Sequence, residues 1–213
     1  MRNLVIISIL SLYALRVNAQ TSDVKKSFPY SNRLSVQTGL LQDAFLGGQN
    51  IVIVYTTNRW VFDWSHGQSL DFSSGKHSPN NKAYNDQKLD VHVPWTTGPS
   101  IGYRFTKYFN VRGEFKAHHN EVRYKHSHTD LKAYNTYTIG AGAFYEWYPF
   151  RKKDNWLQGI LIESVIRFWP NVGTSLASKY TYENSETGKT ERMAPYQLGW
   201  LANINIGYTF GGK

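Results

Sequence analysis

Apolar and polar residues alternate along most of the chain beyond residue 33, and this alternation limits the fold more than any other feature. In the clearest segment, apolar side chains occupy every second position, at Trp200, Ala202, Ile204, Ile206, Tyr208 and Phe210. Successive side chains of a β-strand point to opposite faces, so a period of two residues predicts strands with one apolar face. No amphipathic helix pattern competes with it. The sequence therefore predicts an all-β fold.

Eight segments carry the alternation, and they lie at 34–45, 50–55, 60–65, 95–105, 109–118, 136–147, 159–168 and 200–210. Short turns and longer polar loops connect them in turn: the turns are 56–59, 106–108 and 149–155, and the loops are 73–93, 119–132 and 170–193, with one short outer connection at 46–49. Short turns on one rim and long loops on the other are typical of outer-membrane barrels. We expect an eight-stranded antiparallel up-and-down transmembrane β-barrel, whose interior is filled by side chains.

The start of the chain indicates export. A basic residue, a short apolar run at 4–15 and the ending Val17-Asn18-Ala19 are typical of a secretory signal peptide, which we place at 1–19. The apolar run is shorter than the roughly 20 residues of a membrane-spanning helix. We divide the rest into a periplasmic lead-in at 20–33, the barrel at 34–210 and a C-terminal tail at 211–213. The chain has no cysteine, so a closed hydrogen-bonded sheet, rather than disulfides, is expected to stabilise it.

Aromatic residues collect at the predicted strand ends, as girdles at the two membrane interfaces require. They include Trp60, Phe109 and Trp147 beside the short turns, and Trp95 and Phe168 beside the long loops. The last segment, 204–210, looks like the final strand that marks outer-membrane barrels for assembly, and the chain resembles small OmpA/OmpX-type barrels, including uncharacterised barrels of Bacteroidota. This resemblance implies an outer-membrane location, contact with lipid and lipopolysaccharide, and insertion by the barrel-assembly machinery.

The faces opposite the apolar ones carry eight charged residues that would point into the barrel: Asp63, Arg104, Arg112, Glu114, Lys116, Glu146, Glu163 and Arg167. Four are acidic and four are basic, which is enough for complete pairing. Because buried charges are costly unless they are paired, we interpret the set as a structural ion-pair network. A proton or ion path is the alternative.

Cations in the predicted outer loops are candidates for contact with the phosphates of lipopolysaccharide, and they are Lys76, Lys82, Arg123, Lys125, Lys132, Lys179, Lys189 and Arg192. Lysine and arginine are natural partners for phosphate. A formal charge of +9 could also indicate nucleic-acid binding, but no glycine-rich phosphate loop or compact basic helix supports that interpretation.

Histidines of the predicted loop at 119–132 raise two further hypotheses. His126 and His128 would share one face of an extended strand and could hold a divalent metal, although we expect no metal or other cofactor. His126, Ser127 and Asp130 could form a lipid A-modifying esterase site, since such a site needs a serine activated by a base. A second candidate set, Asp63, Ser65 and His66, is weaker because adjacent residues of a strand point to opposite faces.

Together these patterns favour a non-enzymatic integral outer-membrane protein with a packed polar lumen and basic outer loops. The roles that we expect are envelope integrity, adhesion or surface binding. Two alternatives stay open at this point: a lipid A-modifying acyl hydrolase, and a soluble exported β-barrel that binds a ligand.

Overall fold

The computed structural model describes residues 32–72, 84 and 86–210. The strands in this part of the chain are β1 (Arg33–Gly39), β2 (Gln49–Thr56), β3 (Trp60–Asp71), β4 (Leu89–Arg104), β5 (Phe109–Tyr124), β6 (Asp130–Trp147), β7 (Ile160–Trp169), β8 (Asn171–Thr174), β9 (Tyr180–Glu183), β10 (Thr190–Met193) and β11 (Gly199–Phe210). A helix, α1 (Leu40–Leu46), follows β1, and a 3₁₀ helix (Trp156–Gly159) precedes β7. Among these residues, no helix is both long and apolar enough to cross a bilayer.

Eight strands close into a barrel. From β1 to β7, each strand pairs antiparallel with the next one in sequence, and β11 pairs with both β7 and β1. The seam between β1 and β11 runs from Leu34 opposite Phe210 to Gly39 opposite Asn205. Every barrel strand therefore has two hydrogen-bonded neighbours, which removes the open sheet edges. The predicted eight-stranded antiparallel up-and-down barrel is confirmed.

The barrel has a polar interior and an apolar exterior. Along β5, for example, the buried Asn110, Arg112 and Glu114 alternate with the exposed Val111 and Phe115. Large exposed apolar side chains continue around the barrel as a band that includes Ile53, Phe62, Trp64, Ile101, Ile139, Ile166 and Ile206. Exposing such a band to water is unfavourable, whereas burying it in lipid is not, so this polarity is that of a transmembrane barrel.

The short connections and the two strand ends at Arg33 and Phe210 share one rim. The connections are residues 57–59, 105–108 and 148–159. In outer-membrane barrels, the rim with short turns faces the periplasm. We call this end the periplasmic rim.

Strand length divides the barrel into two sides. β1, β2 and β7 have 7, 8 and 10 residues, close to the roughly 9–11 that cross a bilayer. β4, β5 and β6 have 16, 16 and 18 residues. At about 3.3 Å per residue, the extra residues carry this sheet roughly 20 Å beyond the bilayer on the outer side. We call the parts of β3–β6 that lie beyond the apolar band the outer sheet.

Several predicted boundaries were wrong. Residues 40–46, predicted as the end of a strand, form α1, because this segment is rich in helix formers and Gly47 ends it at a φ of 64°. The predicted loop 119–132 is mostly strand, since β5 continues to Tyr124 and β6 begins at Asp130. β4 similarly begins inside the predicted loop 73–93, and the loop 170–193 contains β8, β9 and β10. The predicted signal peptide at 1–19 and tail at 211–213 lie outside the described residues.

Candidate functional site

Arg112 is the centre of the charge network in the barrel interior. Its Nη1 donates to Asp63 Oδ2 at 2.9 Å, and its Nη2 donates to Glu163 Oε2 at 2.5 Å. The same Nη2 lies 3.8 Å from Glu146 Oε1, and Nε donates to Asn110 Oδ1 at 2.8 Å. Arg112 is only 1% exposed, so these groups replace the water that its charge has lost.

Arg33 also belongs to this network, although it was predicted to lie in the lead-in. Its Nη2 donates to Glu146 Oε2, and its guanidinium carbon lies 5.0 Å from the centre of the Tyr148 ring. Arg33, Ser35 and Gln37 are all buried, so the alternation of β1 begins one residue before Leu34. The predicted barrel began at the first apolar residue, and a polar residue at the start of a strand was therefore missed.

Two cations of the predicted set bind neutral oxygen atoms. Arg104 donates from Nη1 and Nη2 to carbonyl oxygens of two periplasmic turns, at 3.1 Å each. Lys116 Nζ donates to Ser65 Oγ and to the carbonyl oxygen of Gly98, at 2.7 Å each. Both side chains are buried. Lys116 therefore joins the Ser65 side chain of β3 to the backbone of β4, and Arg104 joins the two turns.

The outer half of the lumen holds the remaining predicted charges and a histidine. Glu114 accepts a hydrogen bond from Trp169 Nε1, and its Oε2 lies 3.7 Å from Arg167 Nη1. His118 lies on β5 inside the barrel, and none of its surface is exposed. Its Nδ1 lies 2.7 Å from Thr96 Oγ1 and its Nε2 lies 2.9 Å from Thr138 Oγ1. Two hydroxyl groups therefore satisfy both ring nitrogens.

An apolar cluster, which we call the cap, covers the lumen at its outer end. Its buried members include Leu46, Leu70, Leu89, Val91, Val93, Val122, Tyr134, Trp169, Tyr196 and Leu198. Tyr84 OH donates to the carbonyl oxygen of Ala194 at 2.5 Å, and Tyr134 OH accepts from the Tyr196 amide at 2.8 Å. Burial raises the pKa of Tyr84, so its hydroxyl stays neutral in the cap. The charge network and the cap lie one above the other, which is the arrangement of a filled barrel and not of a pore.

The structure does not assemble His126, Ser127 and Asp130 into a catalytic triad. Ser127 Oγ accepts from the Thr129 amide at 3.3 Å, and Asp130 Oδ1 accepts from Arg123 Nε at 2.9 Å. The His126 side chain is 74% exposed. Each member of the set therefore lacks the partner that would activate or orient it.

The other two histidine-based sets are not assembled either. Residues 125–129 form a turn in which His128 has a φ of 53°, so the expectation that His126 and His128 share one face of a strand was wrong. The described residues contain no group of three or more side chains that could hold a metal. In the remaining set, Ser65 faces the lumen, whereas His66 is exposed on the opposite face of β3.

The candidates for lipopolysaccharide contact differ in their surroundings. Lys132, Lys179, Lys189 and Arg192 are exposed, Lys125 is partly exposed, and Lys76 and Lys82 lie outside the described residues. Arg123 is held by Glu121 at 2.5 Å and by Asp130 at 2.9 Å. The described residues of the outer side, 66–72, 84, 86–94, 119–135 and 170–198, contain seven basic and eight acidic residues. The basic character expected of the outer loops is therefore absent from this part of the structure.

A lumen lined with paired charges and an exterior lined with exposed apolar side chains can coexist only where lipid surrounds the barrel. The fold is that of a small outer-membrane β-barrel. An apolar ligand pocket, which a soluble ligand-binding barrel needs, does not match a lumen filled by Arg112 and its partners. The question of function therefore concerns the surfaces on the two sides of the membrane.

Two solved outer-membrane proteins are similar in structure. Ail, the attachment invasion locus protein of Yersinia pestis, matches with a TM-score of 0.45 and 11% sequence identity over 84% of this chain and 99% of that chain. A major outer membrane protein from Thermus thermophilus matches with a TM-score of 0.39 and 11% identity over 85% of this chain and 100% of that chain. No family model and no curated protein matches the sequence.

Proposed function

We propose that this barrel is a non-enzymatic surface protein that displays a folded extracellular sheet for binding, with a role in adhesion or envelope integrity. The observation that carries the proposal is the length of β4, β5 and β6, which continue well past the bilayer over a filled lumen. A channel has no need of a cap, and an enzyme needs an assembled site. A rigid sheet outside the membrane is suited to binding.

The outer sheet can be shortened without touching the membrane-spanning part. Asn120 of β5 lies opposite Tyr134 of β6, so replacing residues 121–133 by Asn-Gly would leave a two-residue hairpin. Cells that display equal amounts of each protein are compared for adhesion to surfaces. We expect the shortened protein to lose adhesion and keep its barrel. Equal adhesion by the two proteins would contradict the proposal.

Conductance distinguishes the surface role from transport. Purified protein is inserted into planar lipid bilayers, and insertion is verified by protease protection. We expect no unitary conductance steps, because the Arg112 network and the cap occupy the lumen. Reproducible steps from the wild-type protein would show a pore and overturn the filled-lumen interpretation.

We also propose that lipopolysaccharide phosphates contact the exposed outer cations Lys132, Lys179, Lys189 and Arg192. Each cation near an anionic surface contributes about 1 kcal/mol. Replacing all four by glutamine should therefore weaken binding to lipopolysaccharide-containing bilayers strongly. The matched control replaces Arg59, Lys107, Lys152 and Lys153 on the periplasmic rim, which removes the same charge from the side that faces a leaflet without lipopolysaccharide. Equal binding by the outer variant and the wild type would exclude this contact.

For biogenesis, we propose that the barrel-assembly machinery recognises β11. Its terminal Phe210 is 52% exposed, and β11 closes the seam with β1. We expect Phe210→Ala to slow insertion by the machinery while the purified variant still folds in detergent. An unchanged insertion rate would exclude this role for Phe210.

A further inference from the structure

The periplasmic rim has a larger charge imbalance than the outer side. Its three connections contain one acidic residue, Asp154, and five basic residues, Arg59, Lys107, Arg151, Lys152 and Lys153. Among the described residues, no carboxylate oxygen lies within 4.0 Å of Lys107, Arg151, Lys152 or Lys153. The rim therefore carries positive charge that close ion pairs within the described chain do not neutralise.

A cleft of about 250 Å³ lies beside the longest of these connections, and its lining includes Tyr108, Trp147, Phe150, Arg151, Lys152 and Lys153. Arg151 Nη1 donates to the Tyr108 hydroxyl, and Lys107 Nζ lies 4.9 Å from the centre of the same ring. Tyr108 thus holds two cations close together. Only one of the five guanidinium N–H groups is needed for the Tyr108 contact, which leaves donors for a ligand.

The cleft lies at the edge of the lipid-facing surface. Trp147 lines the cleft, ends β6 on the same face as the lipid-facing Ile139, and is 51% exposed. Trp156 of the neighbouring 3₁₀ helix is 70% exposed. Tryptophan rings favour the membrane–water interface, at the level of the headgroups. The cations of this cleft therefore lie beside the phosphate layer of the periplasmic leaflet.

We propose that this cleft binds the phosphate of an anionic phospholipid headgroup in the periplasmic leaflet. Arg151 donates hydrogen bonds to phosphate oxygens, and Lys152 and Lys153 add positive charge. Trp147 lines the cleft and also faces lipid, so a bound lipid keeps its acyl chains in the bilayer. A soluble polyanion has no acyl chains, so the lipid-facing side of the cleft would add nothing to its binding energy. The site is independent of the proposed surface role on the outer side.

Native mass spectrometry of the 20–213 chain tests this site in mixed micelles of phosphatidylglycerol and phosphatidylcholine with identical acyl chains. The wild type should retain phosphatidylglycerol in preference. The triple variant Arg151→Gln, Lys152→Gln, Lys153→Gln should lose this preference by at least about tenfold, because each cation beside an anionic headgroup strengthens binding by about fivefold. The matched control Lys88→Gln, Arg123→Gln, Lys125→Gln removes the same charge from outer-side cations that are outside the proposed lipopolysaccharide contact, and it should keep the preference.

Two further comparisons complete the test. Arg151→Lys keeps the charge and should retain most of the preference for phosphatidylglycerol. This result would show that the triple variant loses the preference through its charge and not through misfolding. The proposal is overturned if the triple variant at residues 151–153 binds the two lipids in the same ratio as the wild type. It is also overturned if this variant and the outer-side control lose the preference for phosphatidylglycerol equally. It is also overturned if inorganic phosphate displaces the lipid completely, which would indicate a free-anion site. The wild type could instead sediment with purified cell-wall sacculi while the triple variant at residues 151–153 does not, with the lipid ratio the same for both proteins. That result would assign the cleft to a cell-wall polymer.

Discussion

Replacing Arg112 by methionine tests whether the charge network stabilises the barrel. Methionine keeps an apolar contact with the ring of Phe144, which now lies 3.8 Å from the guanidinium carbon. The substitution removes the cation that contacts both Asp63 and Glu163. Glu163 then keeps the hydrogen bond that the Asn205 side-chain amide donates at 2.9 Å, but its buried carboxylate loses the opposite charge of Arg112.

The expected magnitude follows from the number of carboxylates left behind. Removing one partner of a buried ion pair costs about 3–5 kcal/mol, because an uncompensated charge stays in a medium of low polarity. Arg112 serves two close carboxylates, so we expect the free energy of unfolding to fall by about 5 kcal/mol, at the upper end of that range. Replacing the charged partners together removes the penalty. The triple variant Arg112→Met, Asp63→Asn, Glu163→Gln should therefore recover most of the loss.

Urea unfolding in lipid vesicles, followed by tryptophan fluorescence, measures the free energy of unfolding of the single and the triple variant when folding is reversible. Lys152→Met is the matched control, since Lys152 is exposed on the periplasmic rim and its loss should change stability by less than about 0.5 kcal/mol. The reasoning is refuted if Arg112→Met costs less than about 1 kcal/mol at an unchanged slope. A triple variant that is as unstable as the single variant would refute it as well.

Three other predictions concern the seam, the lumen and the outer sheet. The pair Val36→Cys, Tyr208→Cys should form a disulfide in the folded protein because these residues are opposite each other, whereas Val36→Cys, Ala202→Cys should stay reduced; equal oxidation would contradict the register. Gly102→Val should destabilise the barrel by about 1–3 kcal/mol, since a Cβ there would lie 2.6 Å from a backbone oxygen of the neighbouring strand, and unchanged urea stability would refute this. Burial raises the pKa of Asp90 above 3.8, so its ionised form destabilises the fold as the pH rises past that value. Asp90→Asn should therefore be more stable than the wild type in urea at pH 7, with the difference vanishing below pH 3.8, and a less stable variant at pH 7 would contradict the sign.

The membrane-spanning strands could be predicted because lipid imposes the alternation that marks them. Where one face must be apolar, residues such as Ile101 and Ile139 alternate with polar lumen residues. This alternation shows which face of the strand each charged residue occupies. The same reasoning placed Arg112 and Glu163 in the lumen before their contacts were known. It could not show that Lys116 binds Ser65 and a backbone oxygen, because strand parity gives a face and not a partner.

The outer sheet and the cap were missed for a physical reason. Beyond the bilayer the inward face becomes apolar and the outward face polar, which is the reverse of the membrane segment. Leu89, Val91 and Val93 alternate with polar residues, as in a strand, but they lie on the inward face. A barrel strand was expected to be polar on that face. A reversal of the alternation within one segment is therefore the signal that would have revealed the cap.

Heat-modifiability tests the central claim, a closed barrel that spans the membrane, most directly. Protein extracted from outer membranes in detergent is run on SDS gels with and without boiling. A closed barrel resists SDS until it is heated, so the unboiled sample should migrate as a separate band that boiling converts to the unfolded position. Recovery of the protein in soluble fractions with identical mobility before and after boiling would contradict the account.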